Sequence, residues 1–399
     1  MDAILAGSST NSRRSLSRAR STTTRNSPSP ISDHWDKHRG KRFKSDSSPE
    51  VTRSTTTVSS TTSVTMSTDM SPVKDEKERS DYDQALYLLE NNPPEQRLDF
   101  HLPYSQYLKL EECWSKIKSA RNISEDQKYP YLAYNSCAEY VTVVTVPRDL
   151  HEVAALELGN ETINGARKYL ASHGANASVA SRILLAGSTT TKGAFGNYVN
   201  SKKQADGTIK YKRTGTTSKV MIAIEVGYSE HYAALCRDKD AWIDGQHVKV
   251  CILVCLDESP RFRNPRTRHE TVGDVGRERE AMSQAVAETV ERDTSRDYYG
   301  QIEYRGHKWV GDLKEAFIEV WRAKKRHPTR YQLIQNAWCS NRLPNTIGLK
   351  LRDFIPDEDW EAANIVDGGI SFDADLYVHN LRRSMETTAD ERYYDYISR

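Results

Sequence analysis

The hydrophobic pattern of the chain becomes regular at about residue 81. Apolar and aromatic residues recur at helical spacing over 81–92 and 104–121, which predicts two helices. Residues 129–147 are rich in Tyr, Val and Thr and are predicted as strand. A third helix is predicted over 147–174, because proline and aspartate stand at its start and glycine at its end.

A strand, a helix and a second strand follow in the most apolar part of the chain. Residues 219–228 and 247–257 are apolar runs typical of buried strands, and residues 229–245 between them are predicted to form a helix. A connection of this kind is expected to be right-handed, with its two strands parallel. The alternation of helices and strands predicts a mixed α/β fold.

The later segments are more polar. Residues 258–300 are highly charged and are predicted to form a surface insertion with a polar helix. Aromatic strands resume over 298–322, and a polar final helix is predicted around 374–388. The chain is therefore divided into a disordered tail (1–80), a helical extension (81–128), an α/β domain (129–360, with its insertion at 258–300) and a C-terminal helical extension (361–399).

Composition separates the tail from the rest. Residues 1–80 are mostly Ser, Thr, Arg, Asp and Lys, so they cannot bury enough apolar surface to offset their conformational entropy. They hold 14 Lys and Arg against 9 Asp and Glu, whereas the remainder holds 43 against 46. Basic clusters at 12–20 and 37–44 suit nuclear localisation or polyanion binding, and a simply solvated tail is the alternative.

Several classes of protein are not expected. No stretch of about 18 apolar residues occurs, so no membrane-spanning helix is predicted. The first residues lack the features of a signal peptide. The six cysteines are scattered without the spacing of a zinc site, which favours free thiols in a reducing compartment. We therefore expect an intracellular protein, in the nucleus or the cytoplasm, and no feature of the sequence indicates an oligomeric state.

Four carboxylates stand beside apolar sequence: Asp257, which ends a predicted strand and suits a turn, and the three acids Glu152, Asp206 and Glu225. Glu225 is the most unusual, because it interrupts an apolar strand, where an unpaired charge is costly. Glu152 in a first helical turn and Asp206 before a strand also suit structural roles. Together, however, the three side chains could converge on one point. Oxygen ligands of this kind suit Mg²⁺ or Mn²⁺, and such an ion can activate water and stabilise charge on a phosphodiester.

The same residues carry a family resemblance. The segment "KKQADGTI", followed by "KVMIAIEVGYS", a helix and "VKVCILVCL", resembles the restriction-endonuclease-like PD-(D/E)XK nuclease superfamily. The pattern is similar to that of a group of bacterial restriction-endonuclease-like proteins and of a large group of uncharacterised fungal proteins, over about 130–325 with an extension to 355. The resemblance implies a mixed sheet flanked by helices and a Mg²⁺-dependent endonuclease acting on DNA. Asp206 and Glu225 would be the metal ligands, and Glu152 the supporting acid of the first helix.

Two positions depart from the family motif. Ala205 stands where the family often has proline, and Gly227 stands where the motif has its lysine. In some members this lysine migrates to the following helix, which makes Lys239 the candidate, with Lys249 as a second. The folded part carries a net charge of −3 and does not resemble a strongly basic nucleic-acid binder.

Three functions therefore remain open. The first is a metal-dependent nuclease acting on DNA, or a degenerate relative of one. The second is a non-catalytic nuclease-fold module that binds protein or nucleic acid in the nucleus. The third is an interaction protein in which the buried acids are structural.

Overall fold

The computed structural model describes residues 79–398, except 94, 96, 125–128, 146, 175–176, 194, 214, 216, 229, 231, 266–273 and 293–297. The predicted tail lies outside the described residues, apart from its last two positions. The described part contains a mixed sheet and helices, which confirms the predicted mixed α/β class. No helix of the described residues is long and apolar enough to cross a membrane.

The helices and strands are bounded as follows. The α-helices are α1 (Asp81–Asn91), α2 (Tyr104–Ala120), α3 (Asp149–Ser172), α4 (Ala177–Ala180), α5 (Tyr232–Gln246), α6 (Val275–Arg292), α7 (Asp357–Ala363) and α8 (Ala374–Ile397). The strands are β1 (Arg97–His101), β2 (Tyr131–Asn135), β3 (Tyr140–Val144), β4 (Ile183–Ala186), β5 (Thr190–Lys192), β6 (Lys202–Gln204), β7 (Gly207–Tyr211), β8 (Lys219–Tyr228), β9 (Val250–Ser259), β10 (Ile302–Tyr304), β11 (His307–Val310), β12 (Asp312–Arg322), β13 (Thr329–Gln335) and β14 (Trp338–Cys339).

A seven-stranded mixed sheet forms the centre of the molecule. Its order is β14-β13-β12-β9-β8-β7-β4, and β8 and β9 are parallel as predicted while the other neighbours are antiparallel. Alternate side chains of β8 point to opposite faces. Ile222 and Ile224 join the apolar core that includes α3 and α8, whereas Ala223 packs with Trp242 of α5. We call this sheet, with α3, α5 and α8, the main domain.

A second apolar core lies in the part of the chain that precedes α3. We call residues 79–145, which contain α1, β1, α2, β2 and β3, the N-terminal lobe. Its strands belong to a second sheet with the order β1-β3-β2-β6-β5. The strand β1 falls inside the predicted helical extension, where it pairs with β3. The lobe is therefore α/β, and its apolar core is separate from that of the main domain.

The last helix is more deeply packed than its polar sequence predicts. The helix α8 spans 24 residues and lies against α3. Tyr377, Leu381 and Met385 are fully buried on it. Its polar residues are also engaged: Arg392 is 2% exposed and donates hydrogen bonds to Glu258. Charge pairing explains why a helix with a weak apolar pattern can form part of a core.

Candidate active site

Asp206 and Glu225 lie beside each other, where the start of β7 meets β8. Asp206 immediately precedes β7, Glu225 lies within β8, and the antiparallel register places Gly207 opposite Ile224. The backbone N–H of Val226 donates a hydrogen bond of 2.8 Å to Asp206 Oδ2. This bond fixes the Asp206 carboxylate next to the Glu225 position. The structure thus brings the two predicted metal ligands together.

Glu225 is completely buried on the face of the sheet that α5 covers. Its Oε1 accepts a hydrogen bond from the indole N–H of Trp242. Its Oε2 accepts no hydrogen bond but lies 3.3 Å from Lys203 Nζ. Burial raises the pKa of Glu225 to about 8, and the charges of Asp238 and Asp206 add to the rise, while Lys203 opposes it. The Glu225 carboxyl is therefore poised to gain or lose a proton near neutral pH.

Lys203 is the residue that brings a positive charge to Glu225. It lies on β6, where alternation turns Lys202 toward Glu111 of the lobe and Lys203 toward the main domain. The Lys203 ammonium lies 2.7 Å from Asp238 Oδ2 on α5. Burial alone would lower the pKa of Lys203. The negative charges of Asp238 and Glu225 outweigh burial and raise this pKa above its ordinary value, so the ammonium remains charged. The local sequence pattern does not single out Lys203, because β6 spans only three residues.

Glu152 is linked to Asp206 through a histidine ring. It lies in the first turn of α3, and its Oε1 accepts a hydrogen bond of 2.7 Å from the Tyr129 hydroxyl. His151 Nε2 lies 3.5 Å from Asp206 Oδ2, and its Nδ1 lies 3.9 Å from Glu152 Oε1. Burial, with the negative charge of Glu152, raises the pKa of Tyr129. The three predicted acids thus belong to one polar cluster, with Glu152 at its outer end.

The two lysines selected from the sequence make other contacts. Lys239 forms an ion pair with Asp240 on α5, and its Nζ lies 4.4 Å from the centre of the Trp321 ring. Lys249 precedes β9 and forms an ion pair of 2.8 Å with Asp357. The catalytic role of Lys239 stays a prediction. The lysine that contacts Glu225 is Lys203.

Close packing surrounds Gly227, where the family motif has lysine. A Cβ atom at this position would lie 3.1 Å from Leu235 Cδ2 and 3.6 Å from Glu230 Cβ. The first distance is shorter than ordinary van der Waals contact, so Leu235 would have to move to admit a long side chain. Glycine here lets α5 approach β8 closely, and the positive charge arrives from Lys203 instead.

Charged residues continue from this centre toward the N-terminal lobe. Arg97 of β1 forms ion pairs with Asp238 and, at 3.1 Å, with Glu230. Burial raises the pKa of Glu230 to about 7, although Arg97 opposes the rise. Burial would also raise the pKa of Asp238, but Arg97 and Lys203 outweigh burial and lower it. Glu225, Lys203, Asp238, Arg97 and Glu230 thus form one partly titratable network.

A cavity of about 910 Å³ opens beside the network. His151, which contacts Asp206, and Val226, which follows Glu225, both line it. Arg97 of the lobe and its ion-pair partner Glu230 also line the cavity. The cavity lies at the carboxyl ends of β8 and β9, which is the usual position of ligand sites in α/β sheets.

Asp206 and Glu225 together can accommodate a divalent cation. Asp206 and Glu225 supply oxygen ligands, and Glu225 Oε2 is buried without a hydrogen bond. Within the described ranges, no group of three or more His, Cys, Asp or Glu side chains is placed to hold a metal ion. Among the described residues, Asp206 and Glu225 would therefore supply two protein ligands to a metal ion, without a third. Mg²⁺ usually retains several waters, so two carboxylates agree with its chemistry.

Similarity to known proteins adds no further assignment. Comparisons of the chain with protein-family models, with curated proteins and with solved structures gave no match.

Proposed function

We propose that this protein is a metal-dependent nuclease of the restriction-endonuclease-like kind, acting on DNA phosphodiesters. One observation carries the proposal: the buried carboxylate of Glu225 lies 3.3 Å from the Lys203 ammonium and next to Asp206, which immediately precedes the neighbouring strand. Two acids and a lysine at one point are the groups that such a reaction uses. The order of Glu152, Asp206, Glu225, a helix and a parallel strand also agrees with the family resemblance.

Each residue has a chemical task in this proposal. Asp206 and Glu225 would hold Mg²⁺ or Mn²⁺, which supplies Lewis-acid chemistry to a bound water and to the phosphate when present. Lys203 stabilises the negative charge that develops on the reacting phosphate, in place of the lysine missing at Gly227. Glu152 orients groups at the outer end of the cluster through His151. Lys239 keeps its predicted role only if its ion pair with Asp240 opens.

A second candidate is a non-catalytic nuclease-fold module. It is favoured by the confinement of Glu225, which is fully buried and held by Trp242 and Lys203. Because its pKa is raised to about 8, a large share of this carboxyl is neutral at pH 7 and is then a poor metal ligand. In this case the cluster orders the interior and the protein acts through binding.

Cleavage of plasmid and linear DNA by the full chain tests the proposal, in Mg²⁺, in Mn²⁺ and in chelator. Glu225→Gln and Lys203→Met should each reduce the cleavage rate by about 10²-fold or more, since the first removes a metal ligand and the second removes the positive charge that acts at the phosphate. Glu303 and Lys308 form an exposed ion pair of 3.8 Å on the β10–β11 hairpin. Glu303→Gln and Lys308→Met therefore serve as matched controls and should cleave normally.

The outcomes separate the two candidates. Metal-dependent cleavage that survives unchanged in Glu225→Gln contradicts the assigned site. An absence of cleavage in every metal, together with DNA binding by the full chain, supports the non-catalytic module. Calorimetric titration with Mn²⁺ gives a second readout, because Glu225→Gln should weaken metal binding whether or not DNA is cleaved.

A further inference from the structure

We propose that one edge of the seven-stranded sheet binds the phosphate backbone of DNA and that the acidic helix α7 covers part of this edge. We call it the basic edge, formed by Arg213, Lys219, Lys249, Arg322 and residues 324–326. It lies at the amino ends of β8 and β9, whereas the cavity lies at their carboxyl ends. The choice of DNA among polyanions rests on the proposed function.

The sheet topology brings the residues of the basic edge together. The chain reaches this edge at the end of β7, at the starts of β8 and β9 and at the β12–β13 turn. Tyr211 pairs with Lys219, and Val250 pairs with Arg322, so these strand ends lie side by side. The strands β13, β12, β9, β8 and β7 are consecutive in the sheet, and neighbouring strands are about 4.8 Å apart. The basic edge is therefore roughly 19 Å long, the length of about five to six base pairs at about 3.4 Å each.

Carboxylates of α7 neutralise the part of the basic edge that belongs to β7, β8 and β9. Three ion pairs connect them: Arg213 with Asp359 at 2.6 Å, Lys219 with Glu358 at 3.7 Å, and Lys249 with Asp357 at 2.8 Å. The side chains of Asp357 and Glu358 are 63% and 60% exposed. Ion pairs of exposed groups are weak, so phosphates can take the place of these carboxylates. Trp360 packs against the core of the main domain, so α7 itself stays attached.

The β12–β13 turn adds cations that are not neutralised. Lys324, Lys325 and Arg326 are consecutive and exposed. In the part of the chain that the structure describes, none of the three forms an ion pair, whereas Arg322 and Arg330 beside the turn are both paired. Residues 81–399 hold 43 Lys and Arg against 46 Asp and Glu, so three adjacent free cations depart from a slightly acidic background. Phosphates can bind them without breaking an ion pair.

The basic edge is separated from the candidate active site. Lys219 and Glu225 both lie on β8, about 20 Å apart along the strand at about 3.3 Å per residue. Phosphate contacts position DNA without reading its sequence. Binding at the basic edge therefore needs no access to the buried carboxylates and can be measured apart from cleavage.

Hydrogen exchange of the full chain in chelator locates the contact. The probes are a DNA duplex of about 20 base pairs and vesicles of phosphatidylserine, which present their phosphates on a lipid surface. The duplex should slow exchange in the turn 323–328, and the vesicles should not. The turn between β10 and β11 is the control and should exchange at the same rate with either probe.

A triple substitution of residues 324–326 by Met tests the free cations. The affinity for the duplex should fall about tenfold or more, and the slope of log K against log salt should become less steep by about 3, one for each lost phosphate contact. The matched control replaces Lys109, Lys314 and Arg383 by Met, which removes the same charge from three exposed positions outside the basic edge. This control should bind the duplex almost as tightly as the unmodified chain.

A double substitution in α7 tests the covering carboxylates and should act in the opposite direction. Asp357→Asn with Glu358→Gln releases cations of the basic edge and should raise the affinity for the duplex about threefold to tenfold. Glu112→Gln with Glu303→Gln removes two exposed carboxylates from ion pairs elsewhere and changes the net charge equally. This control should raise the affinity by about twofold or less, because salt screens distant charges.

Four results would overturn the inference: a bound duplex that leaves the turn unprotected, equal protection of the turn by the vesicles, equal losses in the two triple variants, or equal gains in the two double variants. The last two would mean that net charge alone governs binding. Binding at the basic edge without cleavage keeps this surface and rejects catalysis. Cleavage with unchanged rate and affinity after the triple substitution at 324–326 keeps catalysis and rejects the basic edge.

Discussion

The N-terminal lobe and the main domain are held together by different forces from those that hold each of them internally. Each has its own apolar core, and the two cores share no residue. Between them lie ion pairs: Glu95 of the lobe binds Arg148 and Arg392, and Asp99 binds Arg237. Apolar burial thus stabilises each region, whereas charge fixes how they meet.

The candidate site spans this boundary. Lys203 lies on β6, which pairs with β2 of the lobe, while Glu225 and Asp238 belong to the main domain. Partly buried ion pairs contribute more to orientation than to net stability, because desolvation offsets much of their attraction. We therefore expect the position of the lobe to matter more for activity than for the stability of the main domain.

The largest loss of stability is expected from Arg392, which pairs with Glu95 of the lobe and with the buried Glu258. Arg392→Met leaves Glu258, which is 2% exposed, without its cation and should lower the free energy of unfolding by about 3–5 kcal/mol. Arg279→Met breaks an exposed pair with Asp390 on the same helix and should cost less than about 1 kcal/mol. Urea titration compares them, and equal losses would show that the buried pair does not stabilise the core.

The two apolar cores can be weakened one at a time. Leu110→Ala in the lobe and Leu381→Ala in the main domain each remove a fully buried side chain and should cost about 2–5 kcal/mol. Hydrogen exchange should show the loss of protection confined to α1, α2 and β1–β3 for Leu110→Ala. If exchange rises equally in β8 and β9, the lobe and the main domain unfold as one unit.

A smaller effect is expected from the ion pairs alone. Arg97→Met removes the cation shared by Asp238 and Glu230 and should cost about 1–3 kcal/mol, with faster exchange in β1 and β6. Lys116→Met breaks an exposed pair with Glu112 inside the lobe and is the matched control. Unchanged exchange in β1 and β6 would mean that apolar contacts hold the lobe in place.

A pH dependence of stability is expected in addition to these losses. The pKa of Glu230 is raised from 4.5 to about 7 in the folded protein, so the folded state binds a proton that the unfolded state has released between these values. Stability should therefore fall as the pH rises from about 4.5 to 7. The midpoint of urea unfolding measures this slope. Glu230→Gln should reduce this slope but not abolish it, because the raised pKa of Glu225 contributes a slope of the same sign, whereas the exposed control Glu303→Gln should leave it unchanged.

Local patterns predicted much of the main domain. The segments predicted from their apolar patterns over 147–174, 219–228 and 247–257 correspond to α3, β8 and β9. The two strands β8 and β9 are parallel, as expected for strands joined by a helical crossover. The juxtaposition of Asp206 and Glu225 could also be predicted, since consecutive strands usually pair.

The pairing of segments far apart in the sequence could not be predicted from local patterns. β6 is a three-residue strand, and the sequence does not indicate that it joins the sheet of the lobe through Tyr134 and Lys202. The role of Lys203 could therefore not be inferred. The burial of α8 was likewise not predictable from its polar sequence. Its buried Arg392 is paired with Glu258, which lies 134 positions away along the chain.

The two adjacent lysines of β6 also limit how the chain can change in length. Lys202 binds Glu111 of the lobe and Lys203 binds Asp238 of the main domain because successive side chains of a strand point to opposite sides. Insertion or deletion of one residue just before this strand would exchange the two directions along it. Loops elsewhere can tolerate such changes, but at this point one extra residue would turn the lysine of the candidate site toward the wrong partner.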